Sequence, residues 1–343
     1  MKPLVKLLLA TLALAWFGQT VQAQPDESYA KRWTQTTRFL AEKGDPQSQF
    51  VLGCCYYYGK GMATNYDEAI KWISKAAEGS NAMAQCALGY CYYRGLHVAK
   101  NYKEAEKLIR QAADQNFALA QYLLGSSYIY GQVFPQNYTE GVKLLQKAAA
   151  QNNPEAQSYL GWLYSTGKGV PKDDALAFEW IKKAATQNNA DAQDLLGCIY
   201  ILGKGVATNM EEGVRWLRKA AEQNNAAAQD SLGMSYFTGN GVLKDYSEAV
   251  KWYSKAAEQN NADAQFYLGL CLAAGKGTTK DYAEAYKWIL LSSGQDNQKA
   301  KEYISELVRE MPLEKIPEGL RRANDWIEHH IKSESNPPPA WLK

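Results

Sequence analysis

The chain repeats itself every 36 residues, and this periodicity restricts its possible folds more than any other feature. A glutamine followed three residues later by Leu-Gly marks the register, and it recurs as Gln49, Gln85, Gln121, Gln157, Gln193, Gln229 and Gln265. A tyrosine stands three residues after the glycine in six copies, and Leu272 takes its place in the seventh. Fixed periods of about 20–50 residues are typical of solenoids, propellers and repeat arrays.

Each repeat predicts two short antiparallel helices. The pattern Ala-Gln-x-x-Leu-Gly-x-x-Tyr spaces Ala, Leu and Tyr by four, which puts them on one helix face. In the first copy this predicts a helix from about Asp45 to Tyr58 and a second from Tyr66 to Glu78. A glycine inside a helix costs about 1 kcal/mol relative to alanine. Its recurrence in every copy therefore predicts that a side chain of the second helix packs against bare backbone.

The connections between helices also repeat. Glycines such as Gly59 and Gly61 are expected to end the first helix and to adopt positive φ angles. Gln-Asn-Asn segments such as 259–261 are expected to turn the chain into the next repeat. Copy 2 carries Leu96-His97 and copy 3 carries Gln132-Val133 in the first of these loops, so we expect those two loops to differ.

The combined pattern AQxxLGxxYxxGxGV…DYxEAxKWxxKAAEQ resembles the Sel-one-like repeat (SLR) family, a branch of the tetratricopeptide superfamily. The resemblance implies an all-α fold, a right-handed α-solenoid of seven 36-residue helix-pair repeats with N- and C-terminal capping helices. Stacked repeats bury a continuous strip of apolar surface. A chain of 343 residues can therefore fold this way, although one compact core stops growing at about 250–300 residues.

The repeat register predicts five segments. They are a signal peptide (1–23), an N-terminal capping helix (24–44), seven repeats (45–298), C-terminal capping helices (299–333) and a flexible tail (334–343). Trp33 to Glu42 aligns with the second helix of a repeat, which places Ala41 where Ala77 falls one period later. Lys299 to Glu310 reads as a degenerate first helix with Ala300 in register.

The N-terminus has the features of a Sec signal peptide. Lys2 and Lys6 precede an apolar run from Leu7 to Phe17, and small residues at the Val21 and Ala23 positions suit signal peptidase. This run is too short to cross a hydrocarbon core of about 30 Å. We expect cleavage after Ala23 and an exported, soluble bacterial protein, periplasmic or secreted.

Charge and hydropathy narrow the possible partners. The 38 basic and 36 acidic residues give a net charge of +2, which provides no phosphate-neutralising field, so we expect no nucleic-acid partner. Lys2 and Lys6 are the only charged residues before position 24, so the remaining chain is neutral overall. No stable membrane insertion is expected. A eukaryotic secretory origin stays open, and Asn137-Tyr138-Thr139 would then be a glycosylation acceptor.

The sequence contains no recognisable catalytic constellation. Its three histidines are His97, His329 and His330, and the motifs HExxH, GxSxG and CxxC are absent. The Gly-Lys-Gly loops lack the spacing and the Ser/Thr of a phosphate-binding loop. We therefore expect no catalytic residue, no metal, no cofactor and no enzymatic activity.

The cysteines leave a second possibility open. They are Cys54, Cys55, Cys86, Cys91, Cys198 and Cys271. An exported chain could form one disulfide among the first four, whereas Cys198 and Cys271 are expected to be buried thiols. The cysteine-rich branch of the SLR family pairs cysteines eight residues apart and is associated with penicillin binding and weak β-lactamase activity. Ala77 and Gln85 occupy the matching positions here, so that framework is absent.

Some first-helix positions vary between repeats, and these are candidates for recognition. Alignment with the tetratricopeptide framework predicts an inner, concave binding groove lined by Phe50, Tyr57, Tyr58, Tyr90, Tyr93, Arg94, Tyr122, Tyr130, Trp162 and Phe237. Aromatic residues on such a surface suit recognition of a peptide or protein segment. The alternative is that packing between repeats absorbs most of them.

The favoured hypothesis is an exported, monomeric protein–protein interaction scaffold that binds a peptide or protein segment on its concave face. The first alternative is a weak β-lactamase or penicillin-binding protein like the cysteine-rich branch of the family. The second is a secreted host-interaction factor.

Overall fold

The computed structural model describes residues 27–131 and 134–332. Within these residues the chain forms seventeen α-helices and no β-strand. The predicted signal peptide, the predicted flexible tail and Gln132-Val133 lie outside the described residues.

The helices follow the sequence register. They are α1 Glu27–Glu42, α2 Pro46–Tyr58, α3 Tyr66–Glu78, α4 Ala82–Arg94, α5 Tyr102–Asp114, α6 Ala118–Tyr130, α7 Tyr138–Ala150, α8 Pro154–Thr166, α9 Asp174–Thr186, α10 Ala190–Leu202, α11 Met210–Glu222, α12 Ala226–Thr238, α13 Tyr246–Glu258, α14 Ala262–Ala274, α15 Tyr282–Gly294, α16 Gln298–Glu310 and α17 Lys315–Lys332. Each of the seven repeats, from α2–α3 to α14–α15, is a pair of 13-residue helices. We call the first helix of each repeat helix A and the second helix B.

The helices begin where short polar side chains can cap them. Asp45 accepts a hydrogen bond from the backbone N–H of Ser48 at 2.7 Å, and Asn65 accepts one from that of Glu68 at 3.0 Å. Such side chains satisfy backbone donors that have no partner within the helix. In α6, by contrast, Phe117 occupies the cap position and makes no side-chain cap.

The predicted turns are confirmed. The glycine after each helix A has φ between 65° and 85°, a left-handed conformation that glycine adopts without strain. In the Gln-Asn-Asn turns, Gln259 caps the end of α13, Asn260 has φ 63°, and Asn261 caps the start of α14. Asparagine tolerates the left-handed region better than most residues.

The glycine inside helix A is a contact point between the two helices of a repeat, as predicted. A β-carbon built on Gly53 would stand 2.7 Å from Cγ1 of Ile73 and 3.0 Å from the carbonyl oxygen of Ala69. Gly89 meets Ile109 and Gly269 meets Ile289 at the same distance. Helix B therefore approaches helix A too closely for any side chain at this position.

The loop of copy 2 keeps the backbone of the other repeats, contrary to expectation. His97 stands at the position of Gly61 and has φ 56°, close to the 70° of that glycine. Its ring stacks on Tyr66 with centroids 3.8 Å apart and an interplanar angle of 12°. This stacking offsets the cost of a left-handed residue with a β-carbon, which is about 1–2 kcal/mol.

The periodic glutamine fastens each repeat to the previous one. Nε2 of Gln229 donates to the backbone carbonyl of Ala221 at 3.1 Å, and Oε1 of Gln229 accepts from Nε2 of Gln259 at 2.7 Å. The same pair of bonds recurs at Gln121 and Gln265. A buried amide with both ends satisfied stabilises one register of packing.

The capping helices use the same contacts. Gln49 donates to the carbonyl of Ala41 in α1 at 3.1 Å, as Gln85 does to Ala77, so α1 takes the place of a helix B. At the other end Ala300 is fully buried in α16. In α17, Trp326 is largely buried and donates to Glu258 at 3.0 Å.

Contacts divide the chain into two compact units, and the boundary falls within copy 4. Of the described residues, the first unit comprises those up to Leu163 together with Gly167–Pro171, and the second comprises Tyr164–Thr166 and those from Lys172 onward. Each unit has its own hydrophobic clusters. One cluster of the first unit contains Ile73, Leu88 and Leu108, and one of the second contains Val214, Leu217 and Leu232.

Candidate functional site

The structure divides the ten predicted groove residues into buried and accessible ones. Phe50 is 2% exposed and Tyr90 8% exposed, and both pack in the cluster that contains Ile73 and Leu88. These two therefore pack between repeats and offer no free surface to a partner. The remaining residues are half-buried or exposed, namely Tyr57, Tyr58, Tyr93, Arg94, Tyr122, Tyr130, Trp162 and Phe237.

In the first unit, Tyr57 is the centre of an aromatic cluster. Its ring makes edge contacts with Tyr58, Tyr66 and His97, with centroids 5.1, 5.3 and 5.8 Å apart. Tyr58 also packs against the hydrophobic core. Because the core supports the rings from below, their outer edges are held in place at the surface.

The contact between Tyr57 and Tyr66 recurs in the next repeat. Tyr93 and Tyr102 occupy the same two positions, with centroids 6.0 Å apart in an edge arrangement. Tyr102 is 45% exposed. Arg94 ends helix α4 beside Tyr93 and is itself half-buried. Each pair therefore joins the end of a helix A to the start of its helix B and presents aromatic surface there.

A stacked column of three rings follows in copies 3 and 4. Tyr130, which is 61% exposed, stacks on Tyr159 with centroids 5.7 Å apart, and Tyr159 stacks on Trp162 at 5.5 Å. Nζ of Lys168 lies 4.9 Å from the centroid of the Trp162 ring, within cation–π range. Tyr122 is half-buried on the same helix as Tyr130.

Tyr57 and Tyr93 remain neutral at physiological pH. Burial raises the pKa of Tyr57 above its ordinary value, and the neighbouring Cys91 and Tyr66 add to this effect. Burial likewise raises the pKa of Tyr93, against an opposing effect of the Arg94 charge. The rings therefore offer apolar faces and neutral hydroxyl groups.

The second unit has fewer aromatic residues on its A helices. Phe237 makes an edge contact with Tyr246 at 5.2 Å, which repeats the arrangement of Tyr57 and Tyr66. Nζ of Lys276 lies 6.0 Å from the Phe237 centroid and 5.7 Å from that of Tyr246. This small cluster lies in copy 6, and Ile201 and Ala273 stand at its position in copies 5 and 7.

Two partly buried aspartates also distinguish the second unit. Asp194 on α10 and Asp230 on α12 stand one repeat apart, and the Oδ1 atom of each is buried without a hydrogen-bond partner. Burial raises the pKa of Asp194 to about 6, with a contribution from Asp191. Burial raises the pKa of Asp230 to about 7, with contributions from Asp263 and Asp194.

The six cysteines are all free thiols. Burial raises the pKa of Cys86 and of Cys91 to about 12, and that of Cys55 to about 11. A thiol is nucleophilic only as the thiolate, so these groups are unreactive in the folded state. Within the described residues, no three His, Cys, Asp or Glu side chains come together as a possible metal site.

Five residues of these ring clusters were not predicted from the sequence: Tyr66, Tyr102, Tyr159, Tyr246 and His97. Tyr66 and Tyr102 begin helix B, and a tyrosine recurs there as Tyr138, Tyr246 and Tyr282. Because a tyrosine recurs at this position, the sequence indicated only a structural role for these residues. Their half-exposed positions follow from the loop that folds helix B back onto the end of helix A, and sequence spacing does not indicate this.

The fold is an all-α repeat solenoid of the tetratricopeptide-like class. It is defined by paired helices of fixed length, by the periodic glutamines between repeats and by the capping helices. Proteins of this class typically act as protein-interaction scaffolds. The Sel1 repeat family model matches seven consecutive segments, 46–81, 82–117, 118–153, 154–189, 190–225, 226–261 and 262–297. The chain therefore belongs to the Sel1 repeat family.

Solved structures support the same assignment. The chain is 32% identical to a Sel1 repeat protein from Oxalobacter formigenes, with a TM-score of 0.63, over 89% of this chain and 88% of that one. It is 30% identical to c5321, a protective antigen of uropathogenic Escherichia coli with an SLR fold, with a TM-score of 0.55, over 89% and 73% of the two chains. A comparison with curated proteins gives no match.

These similarities indicate a non-catalytic repeat scaffold and no enzyme family. None of the described helices combines the length and the apolar character needed to cross a membrane.

Proposed function

We propose that this protein is an exported scaffold that binds a protein segment on the concave, A-helix face of its first unit. The observation that carries the proposal is the aromatic surface, by which we mean Tyr57, Tyr58, Tyr93, Tyr122, Tyr130 and Trp162. These rings are accessible in part, and their neighbours hold them in fixed positions. The partner is an extended or helical segment, and the scaffold acts as a monomer.

The chemistry of these side chains supports protein recognition. Tyrosine and tryptophan provide large contact areas with few rotatable bonds, so they lose little conformational entropy on binding. They are also enriched among the residues that dominate binding energy at interfaces. Phe50 and Tyr90 lie beneath this surface and contribute by supporting it.

The binding surface is tested by removing its side chains. The Tyr57→Ala, Tyr93→Ala, Tyr122→Ala and Trp162→Ala variant should lose most partner recovery in affinity capture from the native cell envelope. The matched control is Trp180→Ala with Trp216→Ala, two residues that stack under lysines on B helices of the second unit. Circular dichroism establishes that each variant is folded. Equal recovery by both variants and the wild type would exclude this surface.

Export is tested at the N-terminus. The apolar run and small residues of positions 1–23 support cleavage after Ala23. The intact mass of the protein purified from its native source should correspond to a chain that begins at Gln24. A mass that includes the first 23 residues would contradict cleavage.

A secreted host-interaction role is the second candidate. The resemblance to c5321, described as a protective antigen of uropathogenic Escherichia coli, favours it. Surface labelling of intact cells together with assay of the culture medium separates this role from a periplasmic one. Nitrocefin turnover by the pure protein tests the β-lactamase alternative, and a rate at the uncatalysed background excludes it.

A further inference from the structure

In copies 1 to 4, the charged residues at the ends of the A helices and in the loops that follow them, as far as Pro171, are basic. The segments concerned are 54–65, 90–101, 126–137 and 162–171. These segments contain Lys60, Arg94, Lys100 and Lys168 but no aspartate or glutamate. Asp173 follows the last of them and caps the start of α9. We call the four basic residues the cationic rim.

The rim lies next to the rings. Lys168 stands over Trp162, and the Arg94 charge acts on both Tyr90 and Tyr93. The aliphatic stem of Lys100 packs beside Gly95, because a β-carbon on that glycine would lie 2.7 Å from Cγ of Lys100. Arg94 and Lys168 therefore lie beside aromatic rings at the ends of A helices.

The rim cations make no salt bridge with any carboxylate of the described residues. The B helices of the same unit contrast with this, since Lys71 pairs with Glu68 at 2.8 Å and Lys107 with Glu104 at 3.0 Å. An unpaired cation beside a partly dry aromatic surface interacts strongly with an incoming carboxylate, because the rings displace water from the contact.

We propose that the aromatic surface of the first unit binds an acidic, extended protein segment whose carboxylates pair with the cationic rim and whose apolar groups pack on the rings. This inference rests on the proposed function and specifies the chemistry of its partner. Charge complementarity selects the occupant, since every charged side chain in the four segments is basic.

The second unit is less suited to the same occupant. The loops after its A helices also carry lysines, but the A helices themselves carry Asp191, Asp194, Asp230 and Asp263, no basic residue and fewer aromatic rings. The contact is therefore assigned to the first unit. Single-stranded nucleic acid fits less well, because copy 3 supplies no rim cation and a phosphate backbone needs cations along its whole track.

Peptide display against the chain that begins at Gln24 tests the inference while the natural partner is unidentified. Peptides of about twelve residues are selected on the wild type and rebound to three variants. The first is the aromatic variant above. The second is Lys60→Gln, Arg94→Gln, Lys100→Gln and Lys168→Gln. The third is the matched control Lys204→Gln, Lys244→Gln, Lys276→Gln and Lys280→Gln, which removes four lysines from the corresponding loops of the second unit.

The selected pool should be enriched in aspartate and glutamate. Its binding, measured by fluorescence anisotropy, should weaken at least about tenfold in the rim variant and change less than about twofold in the control, since four exposed pairs each contribute a fraction of a kcal/mol. It should also weaken as salt rises.

Two results separate this inference from the proposed function. If the pool binds the aromatic variant as well as the wild type, the proposed surface is wrong. A second outcome is a pool that needs the rings, is not enriched in acidic residues and binds the rim variant as tightly as the wild type. In that case the proposed surface stands and only the acidic chemistry of the partner is wrong. Binding of an oligothymidine of about twenty nucleotides as tightly as the pool would overturn the inference in favour of nucleic acid.

Discussion

Ile73 packs on the bare backbone of Gly53, where a β-carbon would stand only 2.7 Å from its Cγ1 atom. This contact fixes the distance between helix A and helix B of the first repeat. The same relationship recurs between Gly89 and Ile109 in the second repeat.

We predict that Gly53→Ala lowers the free energy of unfolding by about 1–3 kcal/mol, because overpacking outweighs the better helix propensity of alanine. Gly294→Ala is the control, since a β-carbon there would meet no atom within 4 Å. Urea denaturation measures both. A Gly53→Ala variant as stable as the wild type would contradict the close approach of the two helices.

The periodic glutamines predict that substitutions in different repeats lower stability by different amounts. Gln229→Leu removes the hydrogen bonds of Gln229 to the carbonyl of Ala221 and to the amide of Gln259, although both groups keep a bond to Asn224, so it should cost about 1–2 kcal/mol. Gln49→Leu should cost less, because Gly79 stands where the later repeats place the second glutamine. Equal losses of stability in the two variants would show that the second hydrogen bond contributes nothing.

His97 offers a test of strain against stacking. His97→Ala keeps the left-handed backbone and removes the ring that stacks on Tyr66, so it should lower stability by about 1 kcal/mol. His97→Gly also removes the ring but relieves the backbone, and it should be nearly neutral. Thermal melting compares the two. A glycine variant less stable than the alanine variant would contradict this balance.

Much of the fold could be predicted from the 36-residue period, and the features that could not be predicted have physical reasons. The packed glycines, the left-handed turns and the α1 contact at Ala41 were predictable because each repeats a local rule. The burial of Phe50 and Tyr90 was not, because it depends on how consecutive A helices pack together. Tyr66 and Tyr102 were missed because they belong to helix B and reach the surface only through the loop.

The partly buried carboxyl groups of Asp194 and Asp230 predict an unusual pH dependence. The pKa values of Asp194 and Asp230 are raised to about 6 and about 7 from an ordinary value of 3.8. Burial is the main cause; Asp191 adds to the shift at Asp194, Asp263 and Asp194 add to that at Asp230, and Lys299 opposes the latter. The protonated forms therefore stabilise the fold below about pH 4, and this stability is lost as pH rises through 6 and 7.

Asp194 and Asp230 also affect the pKa values of two neighbouring groups, Tyr253 and Cys198. The pKa of Tyr253 is raised by burial and by Asp230, and that of Cys198 is raised to about 11 by burial, with contributions from Asp194 and Asp230. Both groups stay neutral between pH 5 and 8, so they do not titrate in this window.

The pH dependence is measured as the free energy of unfolding at pH 5 and pH 8. The wild type should lose on the order of 3 kcal/mol relative to Asp194→Asn with Asp230→Asn. The difference between the two proteins isolates these carboxyl groups from all others. A difference that stays constant with pH, or that grows in favour of the wild type at pH 8, would contradict the raised pKa values.

The most direct test of the binding surface is photo-crosslinking in the native cell. Benzoylphenylalanine replaces Tyr130, which is 61% exposed at the end of α6, and in a matched protein it replaces Lys107 on the B helix α5. We expect a covalent adduct with one partner protein from position 130 and none from position 107. An adduct from position 107 alone, or no adduct from either position, would contradict a protein-binding surface on the A helices.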